Sequence, residues 1–196
     1  MKKNFIPTID ISSLLNGLNS KKSKETIKKI EKACVEIGFF QIVNHGMNKK
    51  QIQSISNVGN KFFRSSEQNK IKLAPKKWNS KNKNIYRGYF PKDVNGKEGL
   101  DIGDTKVTKK YAQRTKNQYI EYLNLNKSID KKSIKSLSQY FDNIFILCEI
   151  LFKSVIKLYK DDTNISKKTF SRLKTLSTLR FNYYPNQTKP VEISKQ

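Results

Sequence analysis

Residues 86–105 read Tyr-Arg-Gly-Tyr-Phe-Pro-Lys-Asp-Val-Asn-Gly-Lys-Glu-Gly-Leu-Asp-Ile-Gly-Asp-Thr, in a chain otherwise dominated by Lys, Asn and Ile. Four of the chain's sixteen acidic residues fall in these twenty positions, among glycines and aromatics. A segment whose chemistry departs this far from its background predicts a shaped loop with strands, not a solvated linker. Gly88, Gly99 and Gly103 are expected at turns or where backbones approach closely. Arg87 has a structural reading, an ion pair with Glu98 or Asp101 of the same stretch.

On the N-terminal side, Ile6-Pro7-Thr8-Ile9-Asp10-Ile11 alternates apolar and polar residues after a proline, which suits a short edge strand. A polar connector over 16–23 leads to a helix capped by Ser23, with Glu25 in its first turn. Ile27, Ile30, Ala33, Cys34 and Ile37 give that helix its apolar stripe, and Gly38 ends it. Phe39-Phe40-Gln41-Ile42-Val43 is rich in strand formers, and Asn44-His45-Gly46 marks a turn. Asn48 and Gln51 form a capping box for a second helix that shows Ile52, Ile55, Val58 and Phe62 on one face. A helical turn over 65–73 stops at Pro75, and a charged loop over 76–84 holds the only Trp, Trp78.

On the C-terminal side, a polar segment runs to Lys127. Asp130 or Ser133 starts the longest helix, with a stripe of Leu137, Phe141, Ile144, Phe145, Cys148, Leu151, Phe152, Val155 and Tyr159. A loop at 161–164, a short helix over 165–173 and a strand over 176–184 ending at Pro185 complete the pattern. Residues 186–196 are polar. The order of elements predicts an α+β or mixed arrangement of helices against a sheet.

The chain has 196 residues and 36% hydrophobic residues, enough for one domain with an extension. No apolar run reaches the roughly 18 residues of a membrane span, and the N-terminus lacks a secretory h-region. Cys34 and Cys148 both fall in helical stripes and are expected to be buried free thiols, so a cytoplasmic protein is expected. The formal net charge is +24. Only five of the forty basic residues are Arg, and the lysines are spread over the whole length. That pattern fits A/T-rich coding better than a nucleic-acid footprint, because Arg is the favoured bidentate reader of phosphate and guanine.

Four motifs occur in order: Ile6-Pro7-Thr8-Ile9-Asp10; Gly38-Phe39-Phe40-Gln41-Ile42-Val43-Asn44-His45-Gly46; Arg87-Gly88-Tyr89 with Glu98-Gly99-Leu100-Asp101-Ile102-Gly103; and Leu179-Arg180-Phe181-Asn182-Tyr183-Tyr184-Pro185. Together they resemble the isopenicillin N synthase-like non-haem iron oxygenases, most of which use 2-oxoglutarate. The resemblance implies the N-terminal helical and β part of a double-stranded β-helix, or jelly roll. Residues 1–127 would be the family's N-terminal domain. Residues 128–196 would be a long helix, a short helix and the first strands of an incomplete core.

The resemblance also implies Fe(II) and 2-oxoglutarate as cofactors and a small molecule as substrate. It places Arg87, Arg180, Asn182 and Tyr184 as substrate- or 2-oxoglutarate-binding residues. Arg180, Asn182 and Tyr184 share a strand face by the period of two. The competing readings are a solvated surface Arg180, and Tyr183 and Tyr184 that simply alternate across the strand. The family holds iron with a His-x-Asp after the Asn-Tyr-Tyr-Pro strand and a second His further on. This chain has one His, His45, which is expected to serve a turn. No catalytic or metal residue is therefore assigned, the metal-bearing strands are expected to be missing, and the chain alone is expected to bind neither cofactor and to be inactive. Poor solubility or a separately encoded C-terminal half is expected with it, because the final strand would keep an open edge.

The alternative readings are a Lys-rich binding module for nucleic acid or another polyanion, and a non-catalytic remnant acting through protein contacts. The nucleic-acid reading requires binding that weakens steeply with salt. A titration at low salt with duplex DNA and with single-stranded RNA, expected to show no binding, decides it.

Overall fold

The computed structural model describes residues 6–93, 96–115, 117, 119–159, 172 and 176–185. In chain order the elements are β1 (Thr8–Asp10), α1 (Ser12–Leu15), α2 (Lys21–Glu36), β2 (Gln41–Val43), α3 (Lys49–Phe63), α4 (Glu67–Ile71), β3 (Gly88–Phe90), β4 (Glu98–Ile102), α5 (Lys109–Arg114), α6 (Lys131–Ile156) and β5 (Leu179–Tyr183), with 3-10 turns at Leu125–Lys127 and Lys157–Tyr159. This is the mixed helix-and-sheet pattern read from the sequence. The loop expected at 161–164, most of the helix expected over 165–173 and the tail from 186 lie outside the described residues. Two compact units form, residues 1–52 with 142–171 and residues 53–141 with 172–196, so each is built from two separate stretches of chain.

The first unit is organised by β1 and β2, which pair in parallel with Ile9 opposite Ile42. Ile9, Ile11, Leu14, Ile27, Ile30, Ala33 and Leu147 form its core. Asp10 closes the sheet at its polar end. It accepts from the Ser12 backbone N–H at 2.8 Å and from the Asn44 side-chain amide at 2.7 Å. These bonds, Ser12's first, hold the Asp10 carboxyl at about 2, against an ordinary value near 3.8. A depressed carboxylate favours the fold above its unfolded value, so this contribution is present above about pH 4 and is lost as the pH falls towards 2.

The structure moves the start of α2. The cap is Ser20, whose Oγ accepts from the Ser23 backbone N–H at 3.0 Å. Ser23 is instead fully buried, its hydroxyl donating to the carbonyls of Ser13 and Gly17 at 3.0 and 2.7 Å. Glu25 lies outside the first turn, and α2 already begins at Lys21, inside the expected polar connector. Gly38, at φ 82°, ends the helix as read, with its N–H returning to Ala33 O at 3.0 Å. Cys34 and Cys148 are free but exposed, not buried. Each lies at the margin of its stripe, and on α6 it is Leu147 that enters the core. The thiol of Cys148 is nonetheless shielded enough for desolvation to raise its pKa.

The second unit packs one face of the antiparallel sheet β3–β4–β5 on α3, α4 and the first turns of α6. Successive side chains point to opposite faces of the strands, so Tyr89, Leu100, Ile102, Leu179, Phe181 and Tyr183 share one face and pack with Ile55, Val58, Phe62, Phe63, Leu73 and Leu137. Tyr183 stacks on Phe63 at 5.0 Å, and Phe62 meets Tyr89 edge-on at 5.7 Å. Ile52, expected on the buried face of α3, is 39% exposed, and Phe63 is buried in its stead. Asp130 is the working cap of α6, accepting from the Ser133 N–H at 2.9 Å.

One charge lies on this apolar face. Glu98 aligns with Leu100 and Ile102, and its Oε2 receives Lys70 Nζ at 2.5 Å and the Tyr89 hydroxyl at 2.6 Å. Lys70 also reaches Glu67 at 3.0 Å. Burial alone would lower the Lys70 pKa, but the two carboxylates outweigh it and the net shift is upward. Burial, together with Glu98, pushes the Tyr89 phenol strongly up. The stabilisation from Lys70 is thus complete at neutral pH and is lost only as the pH rises through its raised value. Lys70→Met strands a buried carboxylate and is expected to cost about 3–5 kcal/mol in urea unfolding, whereas adding Glu98→Gln should recover most of that loss.

Candidate functional site

The opposite face of the same sheet is polar and open. The register sets Gly88 opposite Asp101, Asp101 opposite Arg180, and Gly99 opposite both Phe90 and Asn182. Asp101 is 2% exposed, yet it faces away from the apolar core. Arg180 neutralises it with a fork: Nε to Oδ1 at 2.7 Å and Nη2 to Oδ2 at 2.5 Å. The pair holds the Arg180 guanidinium firmly protonated, and Asp101 is the cause. Around it, Trp78, Phe90, Lys97, Gly99 and Asn182 line a cavity of about 280 Å³. Trp78 packs edge-on against Phe90 at 5.7 Å and carries Lys77 over its own ring at 4.9 Å.

Arg87 enters the same neighbourhood from the start of β3. Its Nη2 donates to Leu176 O at 3.0 Å, and its Nη1 donates to the Thr178 hydroxyl. Burial lowers its pKa, while the nearby Asp101 and Glu121 offset part of that loss. A Cβ on Gly103 would lie 3.2 Å from Arg87 Nε, so the missing side chain there makes room for the guanidinium. The expected ion pair of Arg87 with Glu98 or Asp101 is not what forms. Glu98 lies on the other face with Lys70, and Asp101 is taken by Arg180. Arg180 is a surface residue as the competing reading has it, its side chain 62% exposed, but one that is paired with Asp101.

The structure therefore brings Arg180, Asn182 and, beside them, Arg87 to one face. Tyr184 is on the same side by alternation but lies past the end of β5, 69% exposed, and does not line the cavity. Trp78, Phe90 and Lys97 were not singled out by sequence reasoning. Phe90 could have been found from the register, since it faces Gly99, whereas Trp78 lies in a loop and reaches the site only by packing on Phe90. Arg180 uses two of its donors on Asp101 and Arg87 uses two on Leu176 and Thr178, so both forks keep N–H groups for an incoming oxygen anion.

His45, the chain's one His, serves the turn, its Nδ1 accepting from the Met47 N–H at 3.2 Å. Among the described residues no cluster of three or more His, Cys, Asp or Glu could hold a metal ion. One imidazole does not supply a two-His iron site, so the residues present do not fit that metal. No described helix is long and apolar enough to cross a membrane.

Gly88 sets the angle of the whole face. It has φ 116°, and a Cβ there would lie 2.0 Å from Leu73 O, the acceptor of the Tyr89 N–H at 3.2 Å. Gly99 differs: its added Cβ would meet only Phe90 Cβ at 3.7 Å and Phe181 O at 3.9 Å, ordinary contacts, so the tight approach expected there is absent. Gly88→Ala should therefore cost about 3 kcal/mol or more in chemical denaturation, from backbone strain and a displaced carbonyl. Gly99→Ala should cost under about 1 kcal/mol. Equal losses would show that the β3 crossing does not depend on Gly88.

A family model for the N-terminal region of non-haem dioxygenases, described from morphine synthesis, matches residues 6–144. The isopenicillin N synthase of Streptomyces griseus is 25% identical over 186 residues, spanning 92% of this chain and 55% of that protein. The 1-aminocyclopropane-1-carboxylate oxidase of Dictyostelium mucoroides is 48% identical over 58 residues, 30% of this chain and 15% of that protein. Among solved structures, a C-terminally truncated protein of Neurospora crassa in its apo form superposes with a TM-score of 0.68 at 20% identity, covering 94% of this chain and 64% of that one. A 2OG-Fe(II) oxygenase family protein from Caulobacter crescentus gives 0.67 at 16% identity, covering 94% and 58%. The chain thus spans about half the length of those curated relatives that it matches over most of its own length. It belongs to the Fe(II)- and 2-oxoglutarate-dependent non-haem oxygenase family, of which it carries the N-terminal region.

Proposed function

We propose that this chain supplies one wall of the substrate pocket of a non-haem Fe(II), 2-oxoglutarate-dependent oxygenase, and that the iron ligands are supplied by residues outside it. The observation that carries the reading is the polar sheet face, where Arg180 keeps unspent donors beside Asn182 in a 280 Å³ cavity, with Arg87 close to the same Asp101 and Arg180. A carboxylate of a small-molecule substrate, or of 2-oxoglutarate, suits those donors. Asp101 fixes the Arg180 fork in advance, so little side-chain entropy is lost on binding. Tyr184 would join the site as a hydrogen-bond donor once a further strand covers β5. Iron, held elsewhere, would supply the oxidising chemistry, and this wall would orient the substrate and exclude water from it. In this reading the complete protein hydroxylates or desaturates its substrate in the cytoplasm, and the chain alone is inactive.

The supporting relationship is one of family. Relatives are named for isopenicillin N synthesis, flavonol synthesis and 2-oxoglutarate-dependent dioxygenation. Anaerobic titration of the chain with Fe(II) and 2-oxoglutarate should give no metal-to-ligand charge-transfer band. A band with micromolar-range binding would overturn the assignment of the ligands to residues outside the chain. The nucleotide sequence just downstream is expected to encode a His-x-Asp and a later His, in frame or in an adjacent frame. When the chain is joined to that segment, Arg180→Lys should raise KM for an anionic substrate or 2-oxoglutarate about tenfold or more, because Lys cannot reproduce the fork.

A further inference from the structure

A second cavity, of about 560 Å³, lies in the same unit and shares no lining residue with the polar sheet face. Its basic lining comes from four separate segments: Lys72 after α4, Lys81 and Lys83 in the loop before β3, Lys109 on α5 and Lys127 in the 3-10 turn. One carboxylate, Glu121, is also present, but it is already committed. It accepts from the backbone N–H groups of Ile85 at 2.5 Å and Tyr86 at 2.9 Å. None of the five lysines has a carboxylate within salt-bridge distance among the described residues.

The cavity is also built, not merely exposed. Lys127 Nζ is held by Asn82 Oδ1 at 2.6 Å. Asn82 is itself 5% exposed and is pinned through Nδ2 to Lys72 O at 3.0 Å and Ala74 O at 2.7 Å. Leu73 and Ile120 form a buried apolar floor, and Ile85 and Tyr122 leave partly exposed apolar surface at its side. Lysines are common in a chain of net charge +24. Here they converge on a concavity of ligand size, where like charges repel unless an anion is shared between them.

We propose that this cleft binds a phosphorylated small molecule of mononucleotide size, its phosphates among the lysines and its ring system against Ile85 and Tyr122. Lys is a point-charge partner suited to phosphate, and the flat apolar wall suits a planar ring. The proposal does not depend on the reading of the polar sheet face. Nor does it require an extended nucleic-acid strand, because the apolar floor closes the cavity beneath the lysines.

The test is isothermal titration of the chain with ADP and with inorganic pyrophosphate at low and high salt. ADP should bind at low salt, and Lys81→Glu with Lys83→Glu should weaken it at least about tenfold, which is about 1.4 kcal/mol. A charge-matched control, Lys28→Glu with Lys29→Glu on the exposed face of α2, should change it less than about twofold. All four positions are exposed, and unchanged thermal unfolding of both variants shows that the fold is kept. Tyr122→Ala should weaken ADP but not pyrophosphate. Absence of ADP binding at low salt, equal loss in the charge-matched control, or equal weakening of both ligands by Tyr122→Ala would overturn the proposal.

Discussion

Strand β4 carries two buried carboxylates, Glu98 and Asp101, on opposite faces of the sheet, and the second unit is arranged around the need to neutralise them. A buried carboxylate without a partner costs several kcal/mol, so each must meet a cation as the chain folds. Glu98 draws Lys70 of α4 across the core face, together with the Tyr89 hydroxyl. Asp101 draws Arg180 of β5 across the open face. The register of β5 is fixed by this as well as by its apolar residues. A one-residue slip would bring Phe181 to Asp101 and take Arg180 away. The same bond that pins the strand also presents the remaining Arg180 donors to the cavity, so positioning of the sheet and preparation of the site come from one interaction.

Much of this was legible in the residues. The apolar stripes of α2, α3 and α6 and the runs that became β1, β2 and β5 follow from periodicity, and residues 86–105 do form two strands, β3 and β4. The partners were not legible, because they depend on register and on packing between distant segments. Glu98 in the alternation Glu-Gly-Leu-Asp-Ile already falls on the apolar side, which demands a cation but does not name Lys70. Arg87 looked like the partner for a carboxylate of its own loop, yet strand pairing puts Arg180 directly across from Asp101. Cys34 and Cys148 fit their stripes but fall at the margin, where a helix of 3.6 residues per turn carries them out to the surface. The cap of α2 went to Ser20 because Ser23 was claimed by two carbonyls in the interior.

The two cavities of the second unit treat charge differently. On the sheet face, Arg180 is offset by the buried Asp101 and held in place, an arrangement suited to orienting a bound group. In the other cleft, lysines are left uncompensated over an apolar floor, which favours capture of charge over alignment of a reacting atom. The even spread of Lys along the chain hid this distinction, since neither cavity is contiguous in sequence.

The Arg180–Asp101 bond joins residues 79 apart, whereas Gly88 and Asp101, partners across β3 and β4, are only 13 apart. Closing the longer span is two to three doublings of loop length dearer, at about 0.6 kcal/mol for each doubling. The β3–β4 hairpin with its Glu98–Lys70 bond can therefore assemble early and locally, while Asp101 waits for β5. During synthesis the first strands of the sheet are complete long before the cation that Asp101 requires has left the ribosome. The order of events is then built into the topology: the core face closes first, and the open face with its Asp101–Arg180 pair is the last part of the sheet to become whole.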